Sequence, residues 1–280
     1  MNVLIADSGS TKTDWVFISS AHKKYFDSSG LNPYLMSLET IEIQLKKAIT
    51  SFIKNEKPDR VYFYGAGFST IEHCRKMRKI LCKITMTLIV EVHHDILGAA
   101  RSVCRNESGI VCILGTGSNS CLFDGEKISM QKGGFGYLLG DEGSGSFMGR
   151  KLLSEMLNDN LPTSIISKFE KFSGMKLDMI RKQTYNTSTP SSYLGSFTPF
   201  IKKNLKVKFI RKIAVESLEE FLENTVLRYP GYKKLPVHFV GSVGYYFKKV
   251  LADVCKKHKL KMGRIIKKPI DGLVRFHSES

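Results

Sequence analysis

The chain has 280 residues, 42% of them hydrophobic and 25% charged, with 43 Lys and Arg against 26 Asp and Glu for a formal charge of +17. That length supports one large domain or two small ones around a sizeable core, and the composition is globular rather than disordered or fibrous. No apolar run is long enough to span a membrane, and six scattered cysteines without a Cys-x-x-Cys pair argue against structural zinc and a disulfide framework.

The positive charge is mostly lysine and lies on segments of helical periodicity, such as 200–212 and 248–268. Arginine, the better reader of base edges, is scarce, so solvated lysine faces are expected rather than a nucleic-acid surface. The same field favours an anionic substrate such as a nucleotide. The first residues lack the basic start and small-residue cleavage site of a signal peptide, so a cytoplasmic protein without membrane attachment is expected.

In chain order, Val3-Leu-Ile-Ala-Asp7 is an apolar run that ends in Ser8-Gly9-Ser10-Thr11-Lys12 before apolar residues resume at Trp15 to Ile18. This reads as strand, tight turn, strand. Successive N–H groups in such a turn form a concavity for an anion, with Lys12 adding charge. Asp7, at the carboxyl end of the first strand, is placed to hold a divalent metal. The Walker spacing is missing, and a strand rather than a helix follows.

Thr13–Ser19 and Lys23–Ser28 are predicted as the second and third strands, and Gly30-Leu31-Asn32-Pro33 as a loop. Ser37 caps a predicted helix over 38–54 with an apolar stripe of Ile41, Leu45, Ala48, Ile49 and Phe52. A fourth strand at 60–65 leads through Gly65-Ala-Gly67 to a helix capped by Ser69 and reaching about Lys83. A fifth strand, Thr87–Val92, ends at His93-His94-Asp95 before a short helix over 96–103. Three consecutive strands, then strands alternating with helices, give an α/β layered domain.

The opening pattern returns about a hundred residues later. Gly109-Ile-Val-Cys-Ile-Leu114 runs into Gly115-Thr-Gly-Ser-Asn-Ser120, Cys121-Leu-Phe123 leaves it, Asp124-Gly125 turns, and a further strand lies around Lys127–Gln131. The stretch 133–145 is too glycine-rich for helix or strand, and a loop this long in a compact domain is usually functional or disordered. Its Phe135, Tyr137, Leu138 and Leu139 look buried and argue for order. Helices fill most of 146–228, broken near 187–191, with Glu142 as the expected cap of the first. Val237–Val240 is a strand whose glycine turn, 241–244, opens a helix over 245–258, with Tyr245 and Tyr246 as packing residues. A last strand, Lys261–Ile266, precedes a short tail.

Three strand-end glycine turns, a carboxylate at a strand end between the first two, and duplicated lobes resemble the actin-like ATPase and sugar-kinase superfamily. The loop residues Gly115-Thr-Gly-Ser-Asn119 and Gly133-Gly-Phe-Gly-x4-Asp-Glu-Gly-Ser144 are similar to those of the BadF/BadG/BcrA/BcrD ATPase family, and more closely to its N-acetylglucosamine kinase branch. The resemblance runs from Asp7 to about Leu273 and is most specific over 115–145. It implies an α/β fold of two ribonuclease H-like lobes, with ATP phosphates between two hairpins in the cleft. The lobes would be 1–105, with the tail 270–280 as an open addition, and 106–269.

Matched by position, Ser10, Thr11 and Lys12 would belong to the first phosphate loop, with Asp7 serving Mg²⁺. Gly115, Thr116 and Gly117 would form the second loop, and Gly241 and Ser242 would flank the nucleoside. Asp95 would be the catalytic base. Asn32, Ser118, Asn119, Gly134, Phe135, Gly136 and Asp141 would line the site of an amino sugar. The implied activity is transfer of a phosphoryl group from ATP to the sugar's primary hydroxyl, in a homodimer with no nucleic-acid partner.

Three departures accompany the resemblance. Phe135 stands where a tryptophan is usual, His93-His94 is unusual as either structural residues or a metal pair, and the short tail implies a truncated final helix. An activator ATPase of the 2-hydroxyacyl-CoA dehydratase kind shares the fold, but its cluster cysteines are missing from Gly140-Asp-Glu-Gly-Ser144. A sugar or ATP sensor without turnover is the non-enzymatic alternative.

Overall fold

The computed structural model describes residues 1–53 and 56–279. The chain divides into two compact units, Met1–Asn106 with Lys268–Ser280, and Glu107–Lys267.

In the first unit the strands are β1 (Val3–Ser8), β2 (Lys12–Ile18), β3 (Lys23–Ser29), β4 (Arg60–Gly65) and β5 (Val90–His94), and the helices are α1 (Leu38–Ile53), α2 (Ile71–Thr85) and α3 (Asp95–Cys104). A carboxyl-terminal helix, Ile270–Glu279, completes it. The sheet order is β3-β2-β1-β4-β5. The first three strands form an antiparallel meander, and β4 and β5 add in parallel beside β1. Strand alternation sorts the core. Leu4, Ala6, Trp15, Phe17, Val61 and Phe63 pack beneath Ile41, Leu45 and Ile49 of α1 and Met77 and Leu81 of α2. On the opposite face Val3, Ile5, Val16 and Tyr64 meet Ile270, Leu273 and Val274 of the carboxyl-terminal helix.

The second unit repeats this plan. Its strands are β6 (Gly109–Leu114), β7 (Ser118–Phe123), β8 (Ile128–Gly133), β9 (Pro236–Val240) and β10 (Lys261–Ile266), ordered β10-β9-β6-β7-β8. Read from the other edge this is the first sheet's order, again with an antiparallel meander and two parallel strands. Its helices are α4 (Gly136–Leu139), α5 (Gly145–Leu157), α6 (Thr163–Ser173), α7 (Leu177–Asn186), α8 (Pro190–Gly195), α9 (Thr198–Lys203), α10 (Lys208–Asn224), α11 (Ser242–Tyr246) and α12 (Lys248–Lys257). Ile110, Cys112 and Leu114 of β6 share one core with Val237 and Phe239 of β9, Met148 and Leu152 of α5 and Leu218 of α10.

Several sequence expectations need correction. Thr70, not Ser69, caps α2, because its hydroxyl rather than its neighbour's accepts the His73 N–H at 3.1 Å. The fifth strand begins at Val90, since Thr87 is diverted to donate its hydroxyl to the Asp59 carbonyl. Ser118–Ser120 belong to β7 rather than to a turn, through pairing with β6. The stretch 133–145 contains the one-turn helix α4, and Phe135, Leu138 and Leu139 are 69%, 71% and 84% exposed. A single turn has too few residues to bury a whole apolar set, and only Tyr137 reaches the core. The Ser144 hydroxyl accepts the Phe147 N–H as the cap of α5, whereas Glu142 accepts from Asn224. The helix after β9 starts at Ser242, and Tyr245 and Tyr246 are 39% and 45% exposed. Position 54 of the helix predicted over 38–54, and position 280 of the tail, lie outside the described residues.

The tail forms a ten-residue helix docked on the first sheet. Its His277 stacks on Tyr62 with ring centroids 3.7 Å apart. Arg101 donates to the Tyr64 hydroxyl at 2.8 Å, which leaves that hydroxyl to donate to His277 Nε2 at 2.9 Å. Burial first, then the Arg101 charge, pushes the His277 imidazole down to about 4; the Glu91 carboxylate opposes this, and His93 adds to it. A neutral buried histidine stabilises the fold above the unfolded value near 6.5 and loses that contribution as the pH falls toward 4. Acidification from pH 7 to 4.5 should therefore cost the wild type about 1–2 kcal/mol more than His277→Gln, allowing for solvent screening. Thermal midpoints of both proteins at the two pH values check this, and parallel profiles would refute it.

Among the described residues no helix is long and apolar enough to cross a membrane. Cys104, Cys112, Cys121 and Cys255 are buried, and Cys74 and Cys82 are half-buried.

Candidate active site

In the first unit, β1 and β2 are joined by a turn closed by the Gly9 N–H donating to the Lys12 carbonyl at 2.9 Å. Ser10 and Thr11 lie in this turn, and the Asn32 side chain donates to the Ser10 hydroxyl at 3.2 Å. Beneath the turn, Ser8 and Thr13 share a buried hydroxyl contact of 2.8 Å, and Ser8 Oγ also accepts the Leu31 N–H. The hairpin and the loop carrying Asn32 are thereby fixed to one another. Lys12 extends along the sheet, 3.4 Å from Asp14 and 3.5 Å from Asp27.

Sheet register aligns Asp27, Asp14, Asp7, Tyr64 and His93 across five strands. Asp7 is pushed up to about 8, by burial first, then by the Asp95 and Asp14 carboxylates, with Lys268 opposing. A cluster of carboxyls held together at this cost fits a divalent cation, whose charge would restore the ionised forms. The donor set is small, as suits Mg²⁺, which takes one or two carboxylates and completes its shell with water and phosphate. Among the described residues no group of three or more His, Cys, Asp or Glu is arranged to hold a metal ion. His93 bonds Glu91 at 3.0 Å and stacks on Tyr64, which accounts for it structurally.

Asp95 opens α3, where the helix dipole favours a carboxylate. Its Oδ1 is buried without a hydrogen-bond partner, although His94 Nδ1 lies 3.4 Å away. Burial raises its pKa, while His94 and the amides of Ile96 and Asp95 itself work in the opposite sense. An unpartnered buried carboxylate oxygen at a strand end costs stability, and such groups call for an explanation beyond folding.

In the second unit the turn 115–117 is closed by the Gly115 N–H donating to the Gly117 carbonyl at 3.0 Å. The start of α5 holds this turn, since Gly145 N–H donates to the Gly115 carbonyl and Ser146 N–H to the Thr116 carbonyl, at 2.8 and 3.0 Å. The Gly115 and Thr116 carbonyls are thus committed to α5, and the turn's internal bond uses neither the Thr116 nor the Gly117 N–H. A Cβ at Gly117 would stand 2.9 Å from the Asp141 carboxylate, so a side chain there would have to push that carboxylate aside. Asp141, buried and at φ 60°, accepts the Ser118 N–H at 3.2 Å. Burial raises its pKa against the effect of that bond.

Asn119 is buried beside Gly134, and its Oδ1 accepts from Ser120 N–H and Gln131 Nε2. Gly241 backs directly onto Leu114 and Gly115, so the nucleoside and phosphate turns proposed for this unit are contiguous. Ser118, Asn119, Gly134 and Asp141 therefore gather around the 115–117 turn. Phe135 projects outward, Gly136 opens α4, and Ser242 is exposed at the start of α11. Two side chains absent from the sequence reading belong with Asp7, namely Asp14 and Lys268. Asp14 carried a signal, because two aspartates facing each other across a hairpin are visible once its register is drawn.

The sequence matches no protein-family model, and no curated protein is matched either. Solved structures are similar over the full chain. A candidate N-acetylglucosamine kinase from Chromobacterium violaceum superposes with a TM-score of 0.78 at 14% identity, covering 98% of both chains. A ROK family glucokinase from Streptomyces griseus, solved with glucose and AMPPNP, gives a TM-score of 0.59 at 12% identity, covering 100% of this chain and 99% of that one. At such identities the likeness is one of fold, the two-lobed α/β fold of actin-like sugar kinases. A candidate N-acetylglucosamine kinase from Porphyromonas gingivalis is 36% identical, with a TM-score of 0.95 over 99% of both chains, and the chain belongs to the family of that protein.

Proposed function

We propose that the chain is an ATP-dependent sugar kinase that phosphorylates the primary hydroxyl of an amino sugar, with N-acetylglucosamine and its 6-phosphate as substrate and product. The observation that carries this reading is the Asp95 carboxylate, buried and unpartnered at Oδ1 and raised in pKa close to a second carboxyl, Asp7. Full-length similarity to a candidate N-acetylglucosamine kinase supports the substrate class.

In this reading Asp95 accepts the proton of the sugar's primary hydroxyl while that oxygen bonds to the γ-phosphorus and ADP leaves. A carboxylate with a raised pKa is a better base near neutrality than an ordinary one. Asp7 would hold Mg²⁺, which when bound supplies charge neutralisation for the phosphates. The turns 9–11 and 115–117 offer backbone N–H groups to phosphate oxygens. Ser118, Asn119 and Asp141 present hydrogen-bonding groups suited to a sugar's hydroxyl and N-acetyl substituents, with Asn32 and the 134–136 backbone as further contacts. Gly241 and Ser242 would flank the nucleoside.

The test is ADP release with Mg²⁺ across N-acetylglucosamine, glucosamine and N-acetylmuramate. Release that depends on one of these sugars is expected. ATP binding with no sugar-dependent turnover would leave a sensor in place of a kinase.

A further inference from the structure

Lys268 lies just before the carboxyl-terminal helix, 254 residues from Asp14, yet its Nζ donates to Asp14 Oδ1 at 2.7 Å. Its place is fixed by the helix that follows it. Asp271 accepts from the Tyr25 hydroxyl of β3 at 2.9 Å, and Ile270, Leu273 and Val274 are buried on the sheet. Asp14 in turn faces Asp7 across the hairpin. The cation therefore stands at the carboxylate group where the resemblance puts the metal and the phosphates.

Charge balance makes this placement matter. Asp7, Asp14 and Asp95 concentrate three carboxyls at one end of the sheet, a poor field for a triphosphate. Lys12 has its charge divided between Asp14 and Asp27. Lys268 has one bond to Asp14, so an ammonium group with three donors keeps two in reserve, and its side chain is 44% exposed. Its field also reaches Asp7, where it opposes the other carboxyls.

We infer that Lys268 is a phosphate-binding residue of the nucleotide site, held toward the ligand by Asp14. This rests on the ATP-dependent reading above and adds a contact to it. The Asp14 carboxylate would act as the positioning group, aiming the ammonium and limiting the entropy lost when it meets an anion.

The experiment measures binding of ATP and of adenosine, with Mg²⁺, to the full chain by calorimetry. Wild type is compared with Lys268→Met and with Lys257→Met, the latter on α12 and removing an equal charge from a pair with Glu219 of α10. Lys268→Met is expected to weaken ATP binding by roughly 10- to 100-fold, the range of one charge-assisted hydrogen bond, with adenosine affinity unchanged. Lys257→Met should bind both as the wild type does. ATP affinity within twofold of wild type in Lys268→Met, or equal losses for ATP and adenosine, would overturn the assignment while leaving the kinase reading intact. A wild-type chain that binds no ATP would overturn both.

Discussion

Asp95→Asn is expected to fold as the wild type does, to bind ATP with unchanged affinity, and to lose at least about a hundredfold in the rate of phosphoryl transfer. The side chain does little for the fold. Its Oδ1 is buried without a hydrogen-bond partner, and its charge raises the Asp7 pKa. Asparagine has the same shape and keeps an oxygen for the amides at the start of α3, while the repulsion with Asp7 disappears. Thermal stability should thus hold or rise. The rate falls because a neutral amide cannot accept the sugar's proton, and general-base contributions run to about 10²–10⁴. Single-turnover ADP formation, with ATP affinity measured separately, distinguishes the two effects. An unimpaired variant means that another group takes the proton; a variant that has lost ATP affinity means that Asp95 belongs to the nucleotide site instead.

Both sheets were legible in the sequence because short apolar runs meeting Ser, Thr and Gly turns leave few alternatives to a hairpin. The duplication was legible for the same reason, and the common strand order repeats it in three dimensions. Helix caps were less so. Ser69 and Thr70 are chemically equivalent candidates, and only backbone geometry decides which hydroxyl reaches the N–H three residues on. Phe135, Leu138 and Leu139 are apolar yet exposed, because hydrophobicity does not dictate burial in a one-turn helix that presents most of its side chains to solvent. The contacts of the carboxyl-terminal helix and of Lys268 were out of reach for a different reason. Their partners on β1–β3 are more than two hundred residues away, and no local periodicity encodes which sheet face a terminal segment will cover. The unpartnered oxygen of Asp95 belongs to the same class, since a motif can supply the residue but not its missing hydrogen bond.

Gly241→Ala should be strongly damaging to the second unit. Gly241 has φ 116° and ψ 166°, a region that only glycine occupies comfortably. A Cβ there would lie 2.4 Å from the Leu114 carbonyl oxygen and 3.3 Å from the Gly115 nitrogen, both backbone atoms that cannot swing aside. The alternatives are to strain Gly241 or to push β6 away at the point where it enters the 115–117 turn. The first costs about 1–3 kcal/mol, and overpacking against backbone adds a similar amount, so a loss of roughly 3 kcal/mol and a thermal midpoint roughly 10 °C lower are expected. The displacement also falls on Gly115, whose N–H closes the turn and whose carbonyl is held by α5. ATP affinity should therefore fall together with stability, even at temperatures where the variant is fully folded. Calorimetric ATP binding at 15 °C alongside a thermal melt tests the coupling. A folded variant with unchanged ATP affinity would show that the junction of Gly241 with Leu114 serves packing alone, and that the nucleotide is held elsewhere.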